Sequence, residues 1–297
     1  MTNKLYKAVI TYLGIYIKTA LYYKCMSLKN VEQNMNVSDI TLYLKCPRKV
    51  YYSKRSQKKR SNDNVSYVEH LLLKEFGLRY PQLLEHFSSK ADDMKDIIQS
   101  EFNEICVELS IIYASELEGV SESTIMDAIN NIQVCIEDVS CNIKGMLADT
   151  HNMLLVKALC GMELEPVLYG SKMKVSGIPA GMINLDGSHV PVIIKTGKCP
   201  EYGIWADDRL HMAAFSMLAQ EVHNKPIDDG IVIYSRSGCI RPSKIRANDK
   251  RQVLGICSHI RKIKEGFLPE RKQTPLCEDC EFLESCEIKY SLASKFF

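Results

Sequence analysis

The sequence predicts an α/β protein in which an acidic helical segment precedes a compact strand-and-helix core, with cysteines at both borders of that unit. Three observations carry this reading. From Ser66 to about Cys160, apolar residues recur every three or four positions, the period of a helix with one buried face. After Gly161 the pattern shortens to strand-like alternation around an Asp186-Gly187 turn, a hairpin signal. Near the C-terminus, Cys277, Cys280 and Cys286 form C-x2-C-x5-C. The 297 residues suffice for one large domain with insertions or two modest ones.

Taken in order, residues 1–35 read as an appended helix. Ala8 to Ile17 is apolar behind Lys4 and Lys7, but Lys18 interrupts it, well short of the roughly 20 residues a spanning helix needs. No small-residue cleavage site is clear, so no membrane role is expected. Residues 36–64 hold a short helix, with Ser38 as N-cap and Ile40, Leu42, Tyr43 and Leu44 as its apolar surface, ending at Pro47. A basic loop follows from Ser53 to Asn64.

Residues 65–160 form the helical insertion. Ile98, Phe102, Ile105, Leu109 and Ile112 mark one helix face, and Ile125, Ile129, Ile132, Ile136, Val139 and Ile143 a second, separated by a turn at Gly119 and Ser121. Core packing accounts for both stripes. Residues 161–266 make the core: a strand over Pro166–Val175, a hairpin of Ile183–Leu185 with Val190–Ile194, a helix over Asp207–Glu221, a buried strand at Ile231–Tyr234 with Ile240–Ile245 beside it, and a helix from Arg251 to Gly266. Residues 267–297 carry the cysteine knuckle.

Net charge is only +2, but its distribution is uneven. Pro47 to Arg60 holds seven basic residues and no acid (Arg48, Lys49, Lys54, Arg55, Lys58, Lys59, Arg60); Asp92 to Asp149 holds thirteen acids against Lys95 and Lys144; Arg236 to Lys272 holds eleven basic residues against three acids. Two basic segments folded onto one face would suit a phosphate backbone, and two solvated surface segments would read the same in sequence.

Twelve cysteines without the dense framework of a secreted scaffold point to a reducing, cytoplasmic setting, where clustered thiols suggest metal. Cys277, Cys280 and Cys286 need a fourth soft ligand, and Cys46 is the best candidate. Spacing alone leaves zinc and a four-iron cluster both open. Cys25, Cys106, Cys135, Cys141, Cys160, Cys199, Cys239 and Cys257 read mostly as small buried hydrophobes.

Four motifs in order give the chain a more specific resemblance: SDITLYLKCPRKVYY (Ser38–Tyr52), VPVIIKTGK (Val190–Lys198), DDRLHMAAFSMLAQE (Asp207–Glu221) and the three-cysteine knuckle. Across roughly Val37 to Tyr290 it resembles the CRISPR-associated RecB-like exonucleases, the fourth Cas protein family. The resemblance implies a restriction-endonuclease-like PD-(D/E)XK core and a [4Fe–4S] cluster on Cys46, Cys277, Cys280 and Cys286. It also implies a role in spacer acquisition, with DNA (single strands or ends) and the CRISPR integrase complex as partners.

The family's chemistry is phosphodiester hydrolysis with Mg²⁺ or Mn²⁺ held by two carboxylates and often a histidine, beside a lysine that positions water. On this chain His70 falls at the histidine and Lys195 at the lysine, but the acids' positions are Ala180 and Ile193. In the next helix the family's glutamine and tyrosine are His211 and Phe215. Ala and Ile offer a hard cation no oxygen, so the divalent site reads as lost and the chain as a DNA-binding protein with little or no hydrolysis. Expected DNA contacts are Arg48, Lys49, Lys54, Arg55, Lys198 and His211, with Lys195 as a further phosphate contact. Two alternatives stand beside this: an active single-strand exonuclease using displaced acids (Glu163 or Asp186, with Mg²⁺/Mn²⁺), and a metal-clasped protein-interaction module.

Overall fold

A computed structural model describes residues 35–55, 63–89, 94–278 and 280–286. The expected helix before Met35, Cys25 and the basic residues Lys58, Lys59 and Arg60 lie outside the described residues. The fold is mixed α/β, with a five-stranded mixed sheet between two helical layers. No helix among the described residues is long and apolar enough to cross a membrane.

Helices α1 (Val37–Lys45) and α2 (Pro47–Ser53) follow the two-residue strand β1 (Met35–Asn36). Asn36, not Ser38, is the N-cap of α1, and its N–H donates to the Asp39 carboxylate at 3.0 Å. Pro47 ends α1 and opens α2, for its missing N–H is no loss in a first helical turn. Cys46 stands in extended backbone between the two.

The insertion contains α3 (Val65–Leu78), α4 (Tyr80–Ser89), α5 (Met94–Ile112), α6 (Glu122–Gln133), α7 (Ile136–Ala148) and α8 (Met153–Cys160). The expected single stripe from Ile125 to Ile143 is two helices broken at Val134 and Cys135. Ile132 and Ile136 are buried on either side of the break, so the apolar spacing runs through it and periodicity cannot register it.

The large sheet runs β2 (Glu163–Leu164), β5 (Gly181–Leu185), β6 (Ser188–Lys195), β7 (Asp229–Tyr234), β8 (Cys239–Lys244) in spatial order. Strands β5 and β6 form the expected hairpin, with Asp186 and Gly187 at φ 50° and 78°, the left-handed pair that a tight two-residue turn demands. Strands β6 and β7 are parallel, a pairing that needs a crossover, and α9 (Ala206–His223) supplies it. The strand expected over Pro166–Val175 is instead a small hairpin, β3 (Leu168–Gly170) and β4 (Val175–Gly177), turning through Lys174 at φ 49° and pairing onward to β1. Helix α10 spans Ala247–Lys264 and starts earlier than the expected Arg251, because Asp249 accepts from the Arg246 N–H at 3.0 Å and caps it there; a four-residue helix, α11 (Leu283–Cys286), ends the described chain.

The two sheet faces have separate cores. Val190, Val192, Ile183, Ile231 and Ile233 pack on the helical insertion. Met182, Ile193, Val232 and Tyr234 pack with α1, α9 and α10. Alternation along β6 therefore decides which layer each candidate residue meets.

A thiol pocket and a strand-end site

Helix geometry turns the segment from Cys46 to Tyr52 toward the C-terminal knuckle. Cys46, Arg48, Lys49 and Tyr52 line one pocket together with Arg271, Lys272, Cys277, Cys280, Phe282, Leu283 and Cys286. Arg48 donates through Nε to the Pro269 carbonyl at 2.8 Å and through Nη1 to the Cys286 carbonyl and Sγ at 3.2 and 3.3 Å. Lys49 pairs with Glu281 at 3.0 Å. Tyr52 stacks on Phe282 with ring centres 5.8 Å apart, and its hydroxyl donates to the Ser285 carbonyl at 3.1 Å. Chain segments more than 200 residues apart thus meet through a built polar contact set.

The donor chemistry suits thiolates. The Thr274 N–H donates to Cys277 Sγ at 3.4 Å, and this bond, the Thr274 hydroxyl and the charges of Arg271 and Lys49 hold the Cys277 thiol below its ordinary pKa. Four thiols and four cations lining one pocket fit an anionic thiolate-bound group. Among the described residues, no three His, Cys, Asp or Glu side chains are grouped so that they could hold a single metal ion.

Most of the basic residues expected on DNA are engaged here. Besides Arg48 and Lys49, Arg55 lies over the Tyr51 ring at 4.0 Å and donates to the Ile263 and Lys264 carbonyls, satisfying the C-terminal end of α10. Lys54 and Lys198 are exposed.

The strand-end site is built differently. Lys195, last residue of β6, places Nζ 2.9 Å from Asp208 Oδ1 in the first turn of α9. Asp208 Oδ2 accepts from the Tyr234 hydroxyl at 2.8 Å, and the Trp205 N–H donates to the same hydroxyl at 3.3 Å. Asp208 and Tyr234, absent from the expected site, complete a Lys–Asp–Tyr chain; the sequence signal was an acid in the first turn of the helix after Lys195.

Two positions along from Lys195 on the same face of β6, Ile193 is 2% exposed among the apolar residues of α9 and α10. Ala180 precedes β5, and its carbonyl accepts from the Glu165 N–H at 3.0 Å. His211 packs its ring against Phe215 at 5.2 Å. Its Nδ1 is sealed from water without a partner, and burial, then Lys195, keep its pKa well below the ordinary value.

His70 lies on α3, which covers the opposite face of β6: a side chain at Gly77 of the same helix would collide with Ile194. Its Nδ1 is 2.9 Å from Thr196 Oγ1. Partial screening of the ring, then Lys45, Lys74 and Lys195, hold it below its ordinary pKa. His70 and Lys195 therefore approach the end of β6 from opposite sides.

Among the described residues no hydrogen bond or ion pair joins Glu163 or Asp186 to Lys195 or His70. Asp186 occupies the turn at the far end of β6. Glu163, on edge strand β2, acts instead on His223 at the C-terminal end of α9. Glu165 is the carboxylate residue hydrogen-bonded beside Ala180, and it pairs with Lys74 at 3.1 Å.

No family model matches the chain. Over 116 residues it is 28% identical to an "Uncharacterized protein" of Archaeoglobus fulgidus, covering 39% of this chain and 51% of that one; the match thus spans about half the relative's length. Among solved structures, a "Putative exonuclease" from Eubacterium rectale aligns over 88% of this chain and 90% of its own, at 10% identity and TM-score 0.42. The crystal structure of SSO0001 aligns over 73% of this chain and 97% of its own, at 16% identity and TM-score 0.31.

Proposed function

We propose that this chain is a RecB-like, iron–sulfur DNA-binding protein of CRISPR adaptation that holds DNA strands or ends with little or no hydrolysis. The observation that carries the reading is the contrast in donors. Four thiols share one cation-rimmed pocket, whereas the positions expected to hold a hard cation are Ala180 and the buried Ile193.

In the pocket, Cys46, Cys277, Cys280 and Cys286 would each ligate one iron of a [4Fe–4S] cluster. A four-iron cube takes one thiolate per iron and a structural zinc takes four at about 2.3 Å; the choice of the iron cluster rests on the resemblance of the sequence motifs. Bound there, the group would cross-link the two chain segments, and the hydrogen bonds that Arg48 and Thr274 donate to the Cys286 and Cys277 sulfurs would offset its negative charge.

At the strand end, Lys195 is held by Asp208, so its charge is oriented but partly neutralised. Exposed Lys198 and Lys54 remain to meet a phosphate backbone. The link to the CRISPR integrase complex rests on the resemblance of the four sequence motifs.

Anaerobically purified protein should be brown, contain iron and sulfide in equal amounts, and bind single-stranded DNA with an affinity that falls between low and moderate salt. Colourless, zinc-containing protein would reject the cluster. Binding that ignores salt, or none at all, would favour a protein-interaction module.

A second reading, hydrolysis by displaced acids, has two observations in its favour: the Asp208 carboxylate pairs with Lys195, and the Glu165 backbone N–H bonds the Ala180 carbonyl. Robust Mn²⁺-dependent cutting that disappears in Asp208→Ala or Glu165→Ala would establish it over the first.

A further inference from the structure

The loop from Thr196 to Trp205 carries the chain from Lys195 to the start of α9 and turns two large aromatic rings to solvent. Tyr202 is 82% exposed and Trp205 52%, so both forgo most of the burial that such rings gain in a core.

The rings are mounted on a fixed frame. The Trp205 indole N–H donates to the Lys198 carbonyl at 2.8 Å, across the loop, and its backbone N–H donates to the Tyr234 hydroxyl at 3.3 Å. Trp205 is also the N-cap of α9, and its carbonyl accepts from the Arg209 N–H at 3.0 Å. One residue before Tyr202, the Glu201 carbonyl accepts from Arg241 Nη2 at 3.3 Å. Between the rings Gly203 takes φ 63°, a left-handed turn that a side chain would strain. A backbone held this way has little freedom left to lose when a ligand lies on the rings.

The surroundings select the ligand. Lys198, Glu201 and Asp207, neighbours of the rings in the chain, are all exposed, while Lys195 and Arg209 are paired with Asp208 and Asp249. Flat apolar faces therefore stand among balanced charges. A protein partner favours aromatics set in a desolvated, charge-poor patch. A nucleobase needs only a π face, with its polar edges left to water.

We propose that Tyr202 and Trp205 form a subsite that stacks unpaired bases of single-stranded DNA. The inference rests on the DNA-binding reading above and deepens it: this subsite grips bases, not phosphates, because Lys198 is offset by Glu201 and Asp207. The Tyr234 hydroxyl joins Trp205 to Asp208, and hence to Lys195, so a strand stacked here lies against the end of β6.

Trp205 is the only tryptophan in the chain, so its fluorescence, excited at the red edge where tyrosine does not absorb, reports on this loop alone. The full chain is titrated with oligothymidine, with an abasic strand of equal length and with a relaxed circular duplex, while anisotropy of dye-labelled DNA follows total binding. Oligothymidine should quench Trp205; the abasic strand and the duplex, which present phosphates but no free base face, should bind without quenching. Tyr202→Ala should weaken oligothymidine binding about tenfold, the scale of one base–aromatic stack, by the same factor at low and moderate salt, and leave the abasic strand unaffected. Trp205→Phe, which keeps a ring, should retain most of the affinity that Trp205→Leu loses. Salt-dependent binding with Trp205 fluorescence unchanged, equal quenching by the abasic strand, or a Tyr202→Ala variant that binds like the parent would overturn the subsite and leave the DNA-binding reading standing. No binding by either readout would remove that reading and the subsite with it.

Discussion

The thiol pocket and the strand-end site use their polar groups in opposite ways. In the pocket, cations and N–H groups point at sulfur: Arg48 reaches Cys286 and Thr274 reaches Cys277. At the strand end they point at each other: Lys195, Asp208 and Tyr234 form a closed chain beside apolar Ile193. A pocket whose donors reach thiol sulfurs supports the proposed thiolate-bound group. A site whose charges are mutually satisfied is arranged as structure, since burying a charge is tolerable only when it is paired.

The sharpest way to break this contrast is at the pocket. Cys46→Ala should abolish bound iron and markedly lower the melting temperature, because the binding energy of a structural metal group is folding energy. Iron analysis and thermal unfolding on the same sample check it, and unchanged stability would mean the segments are joined by their protein contacts alone.

The next effect is at the strand end. Ile193→Glu places a carboxylate in a buried, largely apolar setting and should cost about 3 kcal/mol in denaturant unfolding, without restoring Mn²⁺-dependent cleavage. A variant as stable as the parent, and active, would show a cradle still competent for metal.

Asp208→Ala should cost about 2 kcal/mol, discounted from a fully buried pair because the Lys195 side chain keeps some exposure. If Lys195 is freed for phosphate, the same variant should bind DNA more tightly at low salt while unfolding more easily.

The smallest effect concerns pH. His211 is held well below its ordinary pKa of 6.5, so on acidification the unfolded chain takes up a proton before the folded one does. The stability tied to its neutral form is complete above about pH 6.5 and is lost as pH falls toward the folded value. His211→Phe should therefore flatten the loss of stability between about pH 7 and about pH 5, and gain about 1 kcal/mol at neutral pH by removing an unpartnered buried nitrogen. His70, also depressed, would leave a residual slope. A profile unchanged by the substitution would place the acid sensitivity elsewhere.

Several expected elements stand in the structure where periodicity put them. The β5–β6 hairpin follows from an Asp-Gly pair between apolar runs, and α9 from the inward positions Leu210, Ala213, Ala214 and Leu218. Others were invisible because their cause is not periodic. The break at Val134–Cys135 preserves the apolar spacing, and the turn at Lys174 needs a left-handed residue that the sequence does not advertise. Arg48, Lys49 and Arg55 were legible as a basic run, but charge in sequence carries no address. Only folding shows that they serve carbonyls, a carboxylate and a sulfur of the same chain.

The local chemistry was written in the sequence: which residues are soft ligands, which positions lack an oxygen, which face of β6 is apolar. Tertiary structure alone decided the pairings, because these depend on contacts across tens to hundreds of residues. It brought Cys46 to the knuckle, and Asp208 and Tyr234 to Lys195. Residue type limits what a side chain can bind, and the crossing of strands and helices selects the partner it meets.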